Sequence, residues 1–146
     1  MLLGKYKYSI DSKNRICVPH KFRQDLGGIC VLSEDLEYQC LNLYSIEQWK
    51  IYCAKIEQLP LIDMEEIRFL IYSNADEQEI DSQGRILLNQ KLCEDVGLLN
   101  EKEAMIAGIF THIQIWSVSE WDKYNSTIST PEKRKAVKDG LRKIGF

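Results

Sequence analysis

The chain has 146 residues, of which 45% are hydrophobic and 28% are charged, a composition typical of one compact domain or two closely packed half-domains. No apolar run approaches the ~20 residues that a membrane-spanning helix needs, and the apolar start is too short for a signal peptide. We therefore expect a cytoplasmic protein without a membrane partner. The net charge of -3 is segregated: residues 1–25 hold six Lys or Arg against two acids, residues 26–80 hold three against eleven, and residues 131–146 are basic again.

A polar turn organises the start of the chain. Alternating apolar residues over 5–10 and 15–18 predict two strands, and residues 11–15, with the sequence Asp-Ser-Lys-Asn-Arg, form the turn. Asn14 lies where such a turn needs positive φ, which Gly and Asn adopt most easily. We therefore expect a β-hairpin with these residues at its tip.

The first half continues with alternating strand and helix signals. A short helix is expected after Pro19, and strands are expected near 29–32 and 41–44. Ser45 and Asp63 are each followed three residues later by Gln or Glu, which predicts two capped helices.

The same plan returns in the second half. Residues 81–85, with the sequence Asp-Ser-Gln-Gly-Arg, repeat the first turn seventy positions later, and Gly84 takes the place of Asn14. The helix predicted at Ser45 has a counterpart at Ser117. A shared spacing over this length predicts two copies of one unit. The boundaries are a first unit over residues 1–74, a second over 75–126 and a basic C-terminal helix over 127–146, which could pack on its own subunit or on a neighbour.

Each unit alone has only a few short strands, which leave the edges of its sheet unpaired. Two units that interlock their hairpins would close into one small barrel. The sequence therefore predicts an α+β fold, mainly β, in which a pseudo-twofold axis relates the two turns and helices follow each unit.

Catalytic and metal-binding patterns are absent from the sequence. The five cysteines include no C-x-x-C pair, so we expect reduced thiols and no structural zinc. Cys17, Cys30 and Cys53 have apolar neighbours and are expected in the core. His20 and His112 lie in no nucleophile or metal-ligand motif. We expect neither an enzyme nor a cofactor.

Three motifs resemble the MraZ family: D-x-K-x-R-I-x-V-P followed by K-F-R, its second copy D-x-x-G-R, and a W-S-x-x-x-W segment. The resemblance extends from Gly4 to about Tyr124. It implies two AbrB-like swapped-hairpin units in a cytoplasmic, nucleoid-associated transcriptional regulator. It also implies a homo-oligomeric ring that binds double-stranded DNA at tandem direct repeats upstream of the division and cell-wall gene cluster.

By the same resemblance, the DNA-binding residues lie in the two turns. They are Lys13, Asn14, Arg15, Gln83, Gly84 and Arg85. A β-hairpin can enter the major groove, where Arg donates two hydrogen bonds to guanine, whereas Lys suits phosphate as a point charge. Asn14 stands where the family usually has Gly, and Gln83 stands where the first turn has Lys13. We therefore expect the first turn to dominate DNA binding.

Structural roles compete with this interpretation. Arg15 and Arg85 could each pair with the aspartate of its own turn, and Lys21 and Arg23 could contact phosphate or lie on a solvated helix face. An AbrB-like antitoxin that binds a protein partner, or a ring-forming scaffold without DNA activity, would be alternative functions for the chain.

Overall fold

The computed structural model describes residues 1–146 except for the side chain of Asp63. The chain alternates short antiparallel strands with helices in two similar halves. In order, the elements are β1 (Leu2–Ser9), β2 (Arg15–Cys17), α1 (His20–Leu26), β3 (Ile29–Glu34), β4 (Leu41–Ser45), α2 (Ile46–Ile56), α3 (Leu61–Tyr72), β5 (Asp76–Glu79), β6 (Arg85–Leu87), α4 (Gln90–Val96), β7 (Glu103–Phe110), β8 (Ile113–Ser117), α5 (Val118–Ile128) and α6 (Pro131–Lys143).

The main antiparallel sheet has the strand order β1-β7-β8-β4-β3-β5. In the repeat, β1 corresponds to β5, β3 to β7 and β4 to β8. Exchanging the strands of each pair gives the same order read in reverse. The equivalent strands β4 and β8 meet at the centre, where Asn42 lies opposite Gln114. These two residues are themselves equivalent in the repeat, so the sheet has the arrangement that a pseudo-twofold axis requires.

The strands on either side of each turn pair with the other half of the chain. β1 pairs with β7, and β5 pairs with β3. β2 pairs with β6 in a separate two-stranded ladder, in which Ile16 lies opposite Ile86. Within the first turn segment, the two arms share one isolated bridge between Ile10 and Ile16. The predicted turns therefore form, but their arms exchange partners, because this places Ile16 and Ile86 together inside a shared core.

The strands that the structure describes do not close into the predicted barrel, and this expectation was wrong. β1 and β5 are the two edges of the six-stranded sheet, and the β2–β6 ladder stands apart from it. Short helices complete the cover of the core instead. Phe22 and Leu26 of α1 and Leu92 of α4 are buried in the same apolar cluster as Ile16 and Ile86. The observed class is α+β with antiparallel strands in open layers.

Side chains alternate between the two faces of a sheet along each strand. One face of the main sheet lies on the apolar core, and the other carries buried aromatic side chains. Tyr44 of β4 stacks on Tyr52 of α2 with ring centroids 5.2 Å apart. Its counterpart Trp116 of β8 stacks on Tyr124 of α5 at 5.3 Å. The repeat is thus preserved in the packing of α2 and α5 as well as in the strands.

Two of the predicted helix starts are confirmed, and one is wrong. Ser45 accepts a hydrogen bond from the backbone N–H of Gln48 at 3.2 Å, and Ser117 accepts one from Glu120 at 3.1 Å. The helix expected at Asp63 instead begins at Leu61. Pro60 precedes it with the extended backbone that allows a helix to start, and the side chain of Asp63 lies outside the described residues.

The cysteines are free thiols, as expected. Cys30 is buried, and burial raises the pKa of its thiol to about 12. Cys17 and Cys53 are only half-buried, so the core prediction is correct for Cys30 but not for these two. Cys17 follows Ile16 in a strand, and the alternation that buries Ile16 turns Cys17 away from the core.

Replacing Ile16 by Ala is expected to lower the free energy of unfolding by about 2–5 kcal/mol, because a fully buried isoleucine leaves a cavity. Ile16 is 1% exposed. Leu3→Ala is the matched control: Leu3 is 47% exposed, and a surface substitution should change stability by no more than about 0.5 kcal/mol. Urea unfolding measures both variants. Equal, small losses would contradict the placement of the β2–β6 ladder in the core.

Candidate nucleic-acid interface

The first turn is built by one aspartate. The carboxylate of Asp11 accepts hydrogen bonds from the backbone N–H groups of Lys13 and Arg15, each at 2.9 Å. The backbone N–H of Asn14 donates to the Asp11 carbonyl at 3.0 Å. An aspartate at the start of a tight turn favours this geometry, because its short side chain reaches the N–H groups that follow it.

The second turn repeats these bonds. Asp81 accepts from the backbone N–H groups of Gln83 and Arg85, each at 2.9 Å. Gly84 has a φ of 78°, and its counterpart Asn14 has a φ of 59°. The expectation that both positions need a left-handed residue is therefore confirmed.

Each arginine is held by the aspartate of its own turn. Nε of Arg15 donates to Asp11 at 2.8 Å, and Nε of Arg85 donates to Asp81 at 2.9 Å. The structural pairing considered from the sequence thus occurs in both turns. It uses only part of each guanidinium: the side chains are 30% and 24% exposed, and the Nη atoms of Arg15 make no hydrogen bond to a described residue.

The two turns lie side by side. Nη1 of Arg85 is 3.9 Å from the carboxylate of Asp11 in the other turn. The backbone also joins them, because the Val18 N–H donates to the Gly84 carbonyl and the Leu88 N–H donates to the Asn14 carbonyl, each at 2.8 Å. One subunit therefore presents its two turns as a single surface.

The aspartates of this surface are stabilised in their charged form. The pKa of Asp11 is lowered from its ordinary value, first by the hydrogen bond from the Arg15 backbone N–H and further by the Arg15 guanidinium. The pKa of Asp81 is lowered in the same way by Arg85. Both carboxylates can therefore orient their arginines at neutral pH.

The six residues predicted from the sequence fall into three kinds. Lys13 and Gln83 are exposed at the turn tips, and the two arginines are half-exposed beside them. The left-handed residues face inward. The side-chain amide of Asn14 donates to the Leu88 carbonyl, and Gly84 is buried.

Arg23 could contact phosphate or lie on a solvated helix face by its sequence alone, and the structure brings it into this surface. Its guanidinium lies against Gly84 of the second turn, so close that a Cβ on Gly84 would be 1.9 Å from Arg23 Cζ. The repeat contained a signal for this contact. Arg23 and Cys93 are equivalent positions, and the larger residue faces the glycine.

Metal sites and membrane spans are both absent from the part of the chain that the structure describes. No group of three His, Cys, Asp or Glu side chains there could hold a metal ion. None of the described helices is long and apolar enough to cross a membrane.

The turn aspartates give a testable pH dependence. The pKa of Asp11 in the folded protein lies below its ordinary value of 3.8, so its contribution to stability is complete above that value and is lost as the pH falls through the lower, folded pKa. We expect the difference in unfolding free energy between the wild type and Asp11→Asn to be largest near neutral pH and to narrow below pH 3.8. Urea titrations at several pH values measure it, and a difference independent of pH would contradict the role of this carboxylate.

Comparison with known proteins agrees with the repeat. A family model described as "MraZ protein, putative antitoxin-like" matches residues 1–70 and again residues 71–142. The Transcriptional regulator MraZ of Alkaliphilus oremlandii (strain OhILAs) is 42% identical over 128 residues, which cover 86% of this chain and 87% of the relative. The protein of the same name from Thermoanaerobacter sp. (strain X514) is 38% identical over 143 residues, covering 95% and 98%. These relatives are named as regulators of transcription and not as enzymes, and the chain belongs to the MraZ family.

Proposed function

We propose that this transcriptional regulator binds double-stranded DNA with the surface formed by its two turns. The observation that carries the proposal is the arrangement of Arg15 and Arg85. Each guanidinium is oriented by a charged aspartate through Nε, and the two half-exposed side chains lie on one surface. A guanidinium held in this way loses little conformational entropy when it binds a ligand.

The turn chemistry suits the major groove of DNA. The groove is ≈ 12 Å wide and admits a two-stranded β element, and an arginine fork matches O6 and N7 of guanine. Lys13, exposed at the first tip, suits a phosphate because its ammonium is a compact point charge. We therefore assign base recognition to Arg15 and Arg85, and contact with the DNA backbone to Lys13 and Gln83. Asn14 and Gly84 contribute through their backbone conformation.

We further propose that the fold is the AbrB-like double swapped hairpin implied by the family resemblance. The exchange of strand partners supports this: the arms flanking each turn pair with strands of the other half. On this proposal, neither unit forms its DNA-binding turn surface alone, because the exchanged arms hold the two turns in register.

The target follows from the same resemblance. We propose tandem direct repeats upstream of the division and cell-wall gene cluster, bound at the nucleoid by several subunits together. One subunit offers only a few contacts, and linking several binding events can raise affinity by 10²–10⁴ without any new contact. A homo-oligomeric ring would supply those subunits.

Two exposed helices support self-association. α3 presents Ile62, 88% exposed, and Phe69, 71% exposed, on a helix that also carries Glu65 and Glu66. α6 presents Val137, 63% exposed, and Ile144, 73% exposed, directly follows the helix. The terminal segment carries six Lys and Arg residues. An acidic apolar face and a basic apolar face on the same chain are complementary. Contact between α3 of one copy and α6 of the next is heterologous and forms a ring if its rotation closes.

The antitoxin-type alternative uses these same helices for a different protein partner. We assign them to a second copy because the charge of α6 complements that of α3. A stoichiometric foreign protein that co-purifies with the chain and is released by changes in α3 would favour the alternative.

Arg15→Ala is expected to weaken binding to the DNA upstream of the protein's own gene by about 1–3 kcal/mol, because it removes a base contact. Fluorescence anisotropy with that fragment and with a scrambled fragment measures the change. Arg15→Lys keeps the charge but loses the fork, so it should still bind scrambled DNA while losing its preference for the upstream fragment.

Lys123→Ala is the control for this measurement, since Lys123 is exposed on α5 and pairs with Glu120. It removes one positive charge away from the turns and should bind both fragments as the wild type does. An unchanged preference in both Arg15 variants would exclude base recognition by this residue.

For the assembly, Val137→Asp and Phe69→Asp are each expected to lower the mass of the oligomer, because each places a charge in the apolar contact. Sedimentation velocity measures the mass. Leu36→Asp, at a position 56% exposed outside both helices, is the control and should leave the mass unchanged. Wild-type mass in both test variants would contradict the contact between α3 and α6.

A further inference from the structure

Arg23 forms a bridge between the two units at the second turn. It lies on α1 of the first half, next to the fully buried Phe22, which fixes the helix face. Its Nε donates to the Val18 carbonyl at 3.0 Å, and the N–H of the same Val18 donates to the Gly84 carbonyl at 2.8 Å. The guanidinium then covers Gly84, where a Cβ would be 2.2 Å from Nη2. A Cβ at this position would therefore displace the guanidinium from Gly84.

In the first turn, different residues pack against the turn and donate to the equivalent carbonyl. The carbonyl equivalent to that of Val18 belongs to Leu88, and it accepts a hydrogen bond from the side-chain amide of Asn14 in the turn itself. The position equivalent to Arg23 is Cys93, whose sulfur is 3.9 Å from that amide. Each turn therefore pairs one larger and one smaller residue, but in opposite places.

This difference redistributes positive charge. The first turn carries Lys13 at its exposed tip, and the second carries the neutral Gln83. Arg23 places a guanidinium beside the second turn from the other half of the chain. It is half-buried and forms no ion pair with any described residue, so its charge is available to a ligand.

We propose that Arg23 is a phosphate-binding residue of the second turn and replaces, from the first unit, the cation that Gln83 lacks. This inference rests on the proposed DNA binding. The guanidinium is set back on Gly84, behind the tip residues, and its Nε is occupied by the Val18 carbonyl. A group set back from the tip faces the phosphates that border a groove, while the tip enters the groove. The remaining N–H groups can donate two parallel hydrogen bonds to a phosphate.

A phosphate-binding residue has a measurable signature. Its removal weakens binding to all sequences equally, and it lowers the slope of log K against log salt by about one for each phosphate that is no longer neutralised. Removal of a base-reading residue instead changes the preference between sequences. A purely structural role for Arg23 would not alter the number of cations released on binding.

The experiment compares full-length wild type, Arg23→Gln and Lys21→Gln on the upstream fragment and on scrambled DNA over a series of salt concentrations. Lys21→Gln is the matched control, because it removes one charge from the same helix and Lys21 Nζ lies over the Tyr6 ring at 5.0 Å. We expect Arg23→Gln to weaken binding to both fragments by the same factor and to reduce the slope by about one for each bound subunit. Lys21→Gln should keep the wild-type slope.

A second pair of variants tests the packing on Gly84 without removing the arginine. Gly84→Ala and Gly97→Ala introduce a Cβ at almost the same positive φ, 78° and 77°, but only the first meets Arg23, while Gly97 has open space. Gly84→Ala should reduce the slope of log K against log salt as Arg23→Gln does, whereas Gly97→Ala should keep the wild-type slope. The double variant Arg23→Gln, Gly84→Ala should have the same slope as Arg23→Gln alone.

The outcomes separate the two proposals. Binding by the wild type with an unchanged slope in Arg23→Gln, or an equal fall in Lys21→Gln, overturns the role of Arg23 and leaves the proposed function standing. An additional fall in the double variant also overturns it, because Arg23 and Gly84 would then act independently. If the wild type shifts neither fragment at low salt, the proposed function itself fails and this inference fails with it.

Discussion

The ladder between β2 and β6 is the interaction on which the rest of the molecule depends. It brings the ends of the two turns within hydrogen-bonding distance, and it places Ile16 against Ile86 at the centre of the core. Burial of side chains of this size contributes about 1.5–3 kcal/mol each, which a three-residue strand in an isolated hairpin could not obtain. The geometry of the polar surface is thus maintained by apolar contacts directly beneath it.

The charged groups on that surface orient the two arginines more than they add net positive charge. Each turn carries an aspartate beside its arginine, which reduces the net positive charge of the surface. The aspartate shapes the turn through backbone N–H groups and also holds the guanidinium in one orientation. A surface of this kind favours specific hydrogen bonding over strong nonspecific attraction. The basic residues of α6 and the acidic residues of α3 lie on other parts of the chain, where we assign them to self-association.

The two halves have kept a common backbone while their side chains have diverged. In the first turn the side-chain amide of Asn14, beside Cys93, donates to the Leu88 carbonyl. In the second turn Arg23, beside Gly84, donates to the equivalent carbonyl of Val18. Such a substitution is possible because the packing density of a protein interior requires the combined volume at a contact to be conserved, not the identity of either residue. The expectation that the first turn dominates DNA binding considered only the turn residues, and the contact of Arg23 from α1 adds a positive charge beside the second turn.

The sequence by itself determined the features that depend on neighbouring residues. The duplicated turns, the left-handed positions of Asn14 and Gly84, and the capped helices at Ser45 and Ser117 follow from short-range backbone and hydrogen-bonding preferences. The MraZ resemblance followed from the same motifs. The sequence also predicted that the two hairpins interlock, but only the tertiary structure decided which strands pair across the halves, the open sheet in place of a barrel, and the contact of Arg23 with Gly84. These depend on which distant segments bury each other's apolar surface, and the local sequence around each turn is compatible with more than one such arrangement.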